Sequence, residues 1–124
     1  MANVNLLGFG HLNSVDVATS STLSLTAHSG KVVNVTATST LTLPAVATMH
    51  RYIVRVGANG ITVTISPNAA DLIAGAGAGS SGAGVDNKDV IFTNQPAGSY
   101  IVLAYGDANG WAIESSMGDF TFEA

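Results

Sequence analysis

RYIVRVGANGITVTIS, residues 51–66, decides how the rest of the chain is read. Both flanks are rich in β-branched residues at strand length, and Asn59-Gly60 stands between them. Asn and Gly tolerate the positive φ that tight hairpin turns demand. The stretch therefore predicts two antiparallel strands, Arg51–Val56 and Ile61–Ile65, joined by a hairpin. A second stretch repeats the pattern. YIVLAYGDANGWAIESS, residues 100–116, holds Asn109-Gly110 between Tyr100–Tyr105 and Trp111–Ser115.

Outward from these, short apolar runs of strand length continue in both directions. They are Thr22–Thr26, Lys31–Val35, Thr40–Leu43, Val90–Thr93 and Asp119–Phe122, with a weaker run at Asp71–Ala74. STLSLTA at 21–27 echoes STLTLPA at 39–45. No long segment holds a helical period, and only AVATMHR, residues 45–51, suggests a short turn of helix. Regular short strands with turn residues between them predict an all-β fold, an antiparallel β-sandwich of jelly-roll-like form. Residues 1–20 are weakly patterned and are expected to be an extended arm, with residues 21–124 as one domain. Isolated apolar Leu6, Leu7 and Phe9 make the arm a candidate contact with a capsid or a sister subunit.

Composition narrows the function. The chain has 124 residues, 47% of them hydrophobic and only 10% charged. A monomer normally covers itself with about a quarter charged residues, so much of this surface is expected to lie against other subunits or an assembly. Net charge is −4 and there is no basic run, which argues against nucleic-acid binding. There is no cysteine, so disulfides and Cys-ligated zinc are excluded. No apolar stretch approaches the roughly 18 residues of a membrane helix.

The residues that carry chemistry elsewhere give bland readings here. IAGAGAGSSGAG, residues 73–84, contains G-x-G-x-x-G at Gly77–Gly82. A dinucleotide fingerprint needs a helix opening on its last glycine and an acid about 20 residues on. VDNKDV follows instead, so residues 74–89 are read as a flexible Gly-rich loop. His11, His28 and His50 are scattered, and no protein-internal metal site is expected from them. One His on the axis of a trimer is the exception left open. Asp107-Ala108-Asn109-Gly110 begins like a calcium loop but lacks the closing acid. No G-x-S-x-G elbow occurs. Glu114 and Asp119 are a possible carboxylate pair, more simply read as solvated strand-end acids. Trp111 is expected to anchor the core. No catalytic residue, cofactor or small-molecule substrate is assigned.

Three stretches together resemble a family. GKVVNVTATSTLTLPAV, RYIVRVGANGITVTISPNAADLIAGAG and VIFTNQPAGSYIVLAYGDANGWAIE share a pattern with small β domains of tailed bacteriophages. The pattern is a strand ending Leu-Thr-Leu-Pro, a Tyr-Ile-Val-Arg-Val-Gly-x-Asn-Gly turn, Val-Thr-Ile-x-Pro, Asp-x-Ile-x-Gly and a late Gly-Trp. It is similar to capsid decoration (cement) proteins and to tail-fibre domains, over about Gly30 to Glu114. The resemblance implies a homotrimer without enzymatic activity and carries over no site residue. A short arm on a small domain fits the decoration role better than a fibre module. The expected partner is then the major capsid protein, and the expected location the surface of the phage head. A tail fibre or receptor-binding tip is the alternative.

Overall fold

The computed structural model describes residues 13–69, 71–74 and 88–123. These residues form strands in two sheets, with no helix among them. In chain order the strands are β1 (Ser14–Val17), β2 (Ser21–Thr22), β3 (Val32–Val35), β4 (Ser39–Thr42), β5 (Arg51–Val56), β6 (Ile61–Ser66), β7 (Leu72–Ala74), β8 (Val90–Gln95), β9 (Tyr100–Asp107), β10 (Gly110–Met117) and β11 (Thr121–Phe122). Sheet I has the order β1-β3-β5-β9-β10-β7, and sheet II the order β11-β8-β6-β4-β2.

The first six strands alternate between the sheets. β1, β3 and β5 lie parallel in sheet I, and β2, β4 and β6 lie parallel in sheet II. The chain thus winds as a flattened coil, each turn giving one strand to each sheet. β9 and β8 then close the stack by pairing antiparallel with β5 and β6.

The coil stacks because each turn repeats the same side chains. Val15, Val33 and Val54 fall in one register row, and Val17, Val35 and Val56 in another, all facing the core. Between these rows, on the outer face, Asp16, Asn34 and Arg55 stand in register. Asn34 Nδ2 donates to Asp16 Oδ1 at 3.1 Å, and Arg55 Nη1 donates to Asn34 Oδ1 at 2.9 Å. In sheet II hydroxyls tie each turn to the next. Ser20 Oγ accepts from the Thr40 N–H at 2.9 Å, and Thr38 Oγ1 accepts from the Thr62 N–H at 3.1 Å.

The all-β sandwich is as expected, but its pairing is mixed, and the jelly-roll form is replaced by the coil. Residues 51–66 are not a hairpin. β5 and β6 sit in different sheets, because both edges of β5 are taken by β3 and β9, and both edges of β6 by β4 and β8. Asn59-Gly60 turns the chain from one sheet to the other, with Gly60 at φ 77°. Asn59 Oδ1 accepts the Ala97 N–H at 2.8 Å and pins this corner to the loop before β9. Residues 100–116 do form a hairpin, with Gly110 opposite Asp107. Its glycine serves close approach and not a left-handed turn. A Cβ on Gly110 would meet the Leu72 backbone, 2.6 Å from its nitrogen, where β7 lies against β10.

Three smaller expectations are corrected. Residues 14–17, assigned to the arm, form β1, because their Val-polar-Val pattern fits the β3 edge. The strand at Thr22–Thr26 shrinks to Ser21–Thr22, because Ser24 instead organises a turn. Its N–H donates to His28 Nδ1 at 2.9 Å, and its Oγ accepts the Ala27 N–H at 2.9 Å. The helical turn at 45–51 is a turn at Thr48-Met49, with Met49 at φ 65°. Leu6, Leu7, Phe9, His11 and residues 75–87 of the Gly-rich loop lie outside the described residues.

The core fills the space between the sheets. Trp111, 1% exposed, anchors it as expected, edge-on to Tyr52 with ring centroids 5.3 Å apart. The Tyr52 hydroxyl reaches across the turns to donate to the Ser24 carbonyl at 3.1 Å. Burial pushes the Tyr52 phenol up to about 12.

Gly60→Val should cost about 1–3 kcal/mol, since a β-branched residue resists positive φ. Gly110→Ala should cost a similar amount, about 1–3 kcal/mol, through overpacking against β7. Thermal melts of both variants check this, and unchanged midpoints would contradict the turn geometry. The raised Tyr52 pKa means that the folded state favours the neutral phenol. Its stabilisation is complete below pH 10 and is lost as pH rises from 10 through about 12. Alkaline denaturation should therefore be shallower over that window in Tyr52→Phe than in the parent.

Candidate interaction surface

Strand alternation puts every second residue of sheet I on its outer face. β5 and β9 depart from a clean apolar–polar alternation, with Tyr52-Ile53-Val54 and Ile101-Val102-Leu103 apolar in succession and buried. Tyr52, Val54, Ile101 and Leu103 belong to the core cluster between the sheets. Ile53 and Val102 therefore face outward, yet each is only 3% exposed. They stand in one register row with Val32, giving the outer face an apolar centre across three strands.

The cations that flank this row are each held by a side chain of another strand. On one side Arg51 Nη2 meets Glu114 Oε2 at 2.8 Å, with both side chains about half exposed. On the other side Arg55 is held by Asn34, which is held in turn by Asp16. Two shallow hollows lie beside the row. One, of about 430 Å³, is lined by Val32, Ile53, Arg55, Gly98 and Tyr100. The other, of about 450 Å³, is lined by Met49, His50, Arg51, Ala104, Tyr105 and Glu114. Large apolar groups reach solvent around them: Met49 is 98% exposed and Met117 60%. Met117 pairs in register with Tyr100, at the margin of the first hollow.

The outer face of sheet II differs in kind. Thr22, Thr42 and Ser66 form one register row, and Thr40 and Thr64 another. This is a hydroxyl surface, and the inter-turn bonds described above are made by Ser20 and Thr38, outside these two rows.

The candidate residues read from sequence are dispersed. Glu114 is engaged by Arg51, and the Asp119 N–H is bound by Gln95 Oε1 at 3.1 Å. Asp107 accepts the Asn109 N–H at 2.7 Å and shapes the β9–β10 turn. His50 Nδ1 lies 2.8 Å from Ser29 Oγ, while His28 closes the Ser24 turn. Burial, reinforced by the neighbouring Lys31 charge, lowers the His28 pKa below its ordinary value. Among the described residues no group of three or more His, Cys, Asp or Glu could hold a metal ion. Sequence reasoning missed Ile53, Val102, Arg51 and Arg55 as a surface. The signal was present in the unbroken apolar triplets of β5 and β9, which mark strands apolar on both faces.

No family model, curated protein or solved structure matches the chain. The Arg51–Glu114 pair is solvated on both sides, so its coupling should be small. A double-mutant cycle of Arg51→Ala and Glu114→Ala should return no more than about 1 kcal/mol of interaction energy, read from denaturant midpoints. A larger value would mark a buried, structural pair.

Proposed function

We propose that the protein is a non-enzymatic virion protein of a tailed bacteriophage. It is a decoration protein that binds the outside of the head as a homotrimer, with the major capsid protein as its partner. The observation that supports this reading most is the outer face of sheet I. That face has exposed Met49 and Met117 around an apolar centre, with Arg51 held by Glu114 and Arg55 by the Asn34 amide. A net charge of −4 opposes nucleic acid, while the exposed Met49 and Met117 reward close contact with another protein. The low charge content of the sequence agrees with a surface that works by being covered.

The function is then mechanical. A protein that binds the assembled shell and not its separated subunits stabilises the shell by mass action. A coil whose turns are tied by hydrogen bonds in both sheets is a rigid body for that role. The second reading, a receptor-binding tip on the tail, draws on the hollow that gathers His50, Arg51, Tyr105 and Glu114. Polar side chains beside an aromatic ring suit a sugar.

Purified protein should scatter light as a trimer and should bind heads that lack it, raising the temperature at which they release DNA. Met49→Glu and Met117→Glu change exposed side chains and should leave the fold intact. A carboxylate in an apolar contact should weaken head binding by about tenfold or more, about 1.4 kcal/mol. Full occupancy by both variants would remove sheet I as the contact. Heads equally heat-resistant without the protein, with the protein found on tails alone, would transfer the assignment to the tip.

A further inference from the structure

Among the described residues the coil is open at its first turn. Among the described residues β1 is the edge of sheet I and β2 is the edge of sheet II at the same end. β3 satisfies one side of β1, through the Val32 N–H to the Asn13 carbonyl at 2.9 Å and the Thr36 N–H to the Val17 carbonyl at 2.9 Å. Among the described residues no strand lies against the other side, a row of backbone donors and acceptors and a template for strand addition.

Sequence supplies a strand of the right pattern. Each turn enters sheet I with an apolar–polar–apolar triplet: Val15-Asp16-Val17, Val33-Asn34-Val35 and Val54-Arg55-Val56. A further triplet, Val4-Asn5-Leu6, occurs upstream. Laid parallel on β1 in the same register, Val4 falls beside Val15, Asn5 beside Asp16 and Leu6 beside Val17. Both inward apolar rows lengthen by one residue. The outer ladder also closes chemically. It runs from Arg55 through Asn34 to Asp16, so it ends at β1 on a carboxylate that only accepts. The next member must donate, and an asparagine amide is able to.

The same chain cannot place this strand on itself in parallel. A parallel connection takes about a dozen residues or more. The passage from Val17 to Val32 uses residues 18–31 and visits sheet II on the way. From Leu6 to Ser14 only residues 7–13 intervene. We propose that residues 4–6 of a second copy add to β1 as a parallel strand, so that copies of the chain are joined by exchanged N-terminal segments. The inference concerns copy-to-copy contact and does not rest on location in a virion.

The chain has no cysteine, which makes cross-linking clean. Asn5→Cys and Asp16→Cys chains, mixed unfolded, refolded together and treated with a short bifunctional thiol reagent, should give a product joining the two variants. Asn5→Cys mixed with Thr93→Cys, an exposed position in sheet II, should not. Asn5→Asp places two carboxylates side by side and should weaken association about tenfold, with Asp16→Asn in the same chain restoring it. Equal yields in the two mixtures overturn the proposal. So does a cross-link formed only within a doubly substituted Asn5→Cys/Asp16→Cys chain, the mark of a local antiparallel pairing. A folded monomer at all concentrations overturns both this inference and the trimer. Location on heads or tails is decided separately.

Discussion

In-register parallel stacking of apolar–polar–apolar triplets is the constraint on which the structure depends. A side chain in a parallel sheet meets the residue at the same position of the next strand, so equal positions must suit each other. Valine above valine on the inner face meets this condition, and so does a donor above an acceptor on the outer face. A slip by one residue would turn each valine outward and set the polar ladder against the core. The apolar rows and the ladder therefore enforce the same register from opposite faces of sheet I.

Once this register is set, the remaining strands have few choices. β5 and β6 end the parallel coil with free edges, and β9 and β8 take them antiparallel. The same packing determines the surface. Because β5 is flanked on both sides, its odd apolar residue Ile53 is pressed into a row with Val32 and Val102 on the outer face. Arg51 and Arg55 flank that row, each held by a partner from a different strand. The candidate interaction surface is thus a by-product of the coil: its apolar centre and its paired rim come from strands far apart in sequence.

Much of the secondary structure was legible in local pattern. The runs at 51–56 and 61–65 coincide with β5 and β6 to within a residue, and the core role of Trp111 follows from its place after the β9–β10 turn. The misread hairpin at 51–66 has a definite cause. Asn-Gly between two strand-like runs describes a reversal of direction but not the identity of the strand on the other side. At 108–110 the reversal pairs its own flanks, whereas at 59–60 other strands already occupy both edges. The recurrence at 15–17, 33–35 and 54–56 was the available signal for a coil. It was obscured by unequal spacing and by a variable middle residue, Asp, Asn or Arg.

The sequence by itself determined that the protein is all-β, where most of its strands begin and end, and that charge is scarce on its surface. These properties follow from β-branched content, turn residues and composition, which act over a few residues or over the whole chain at once. The tertiary structure alone decided which strands pair, in which direction, and which apolar residues face outward. Those outcomes depend on competition for strand edges between segments some twenty residues or more apart, and a local pattern holds no record of which competitor wins.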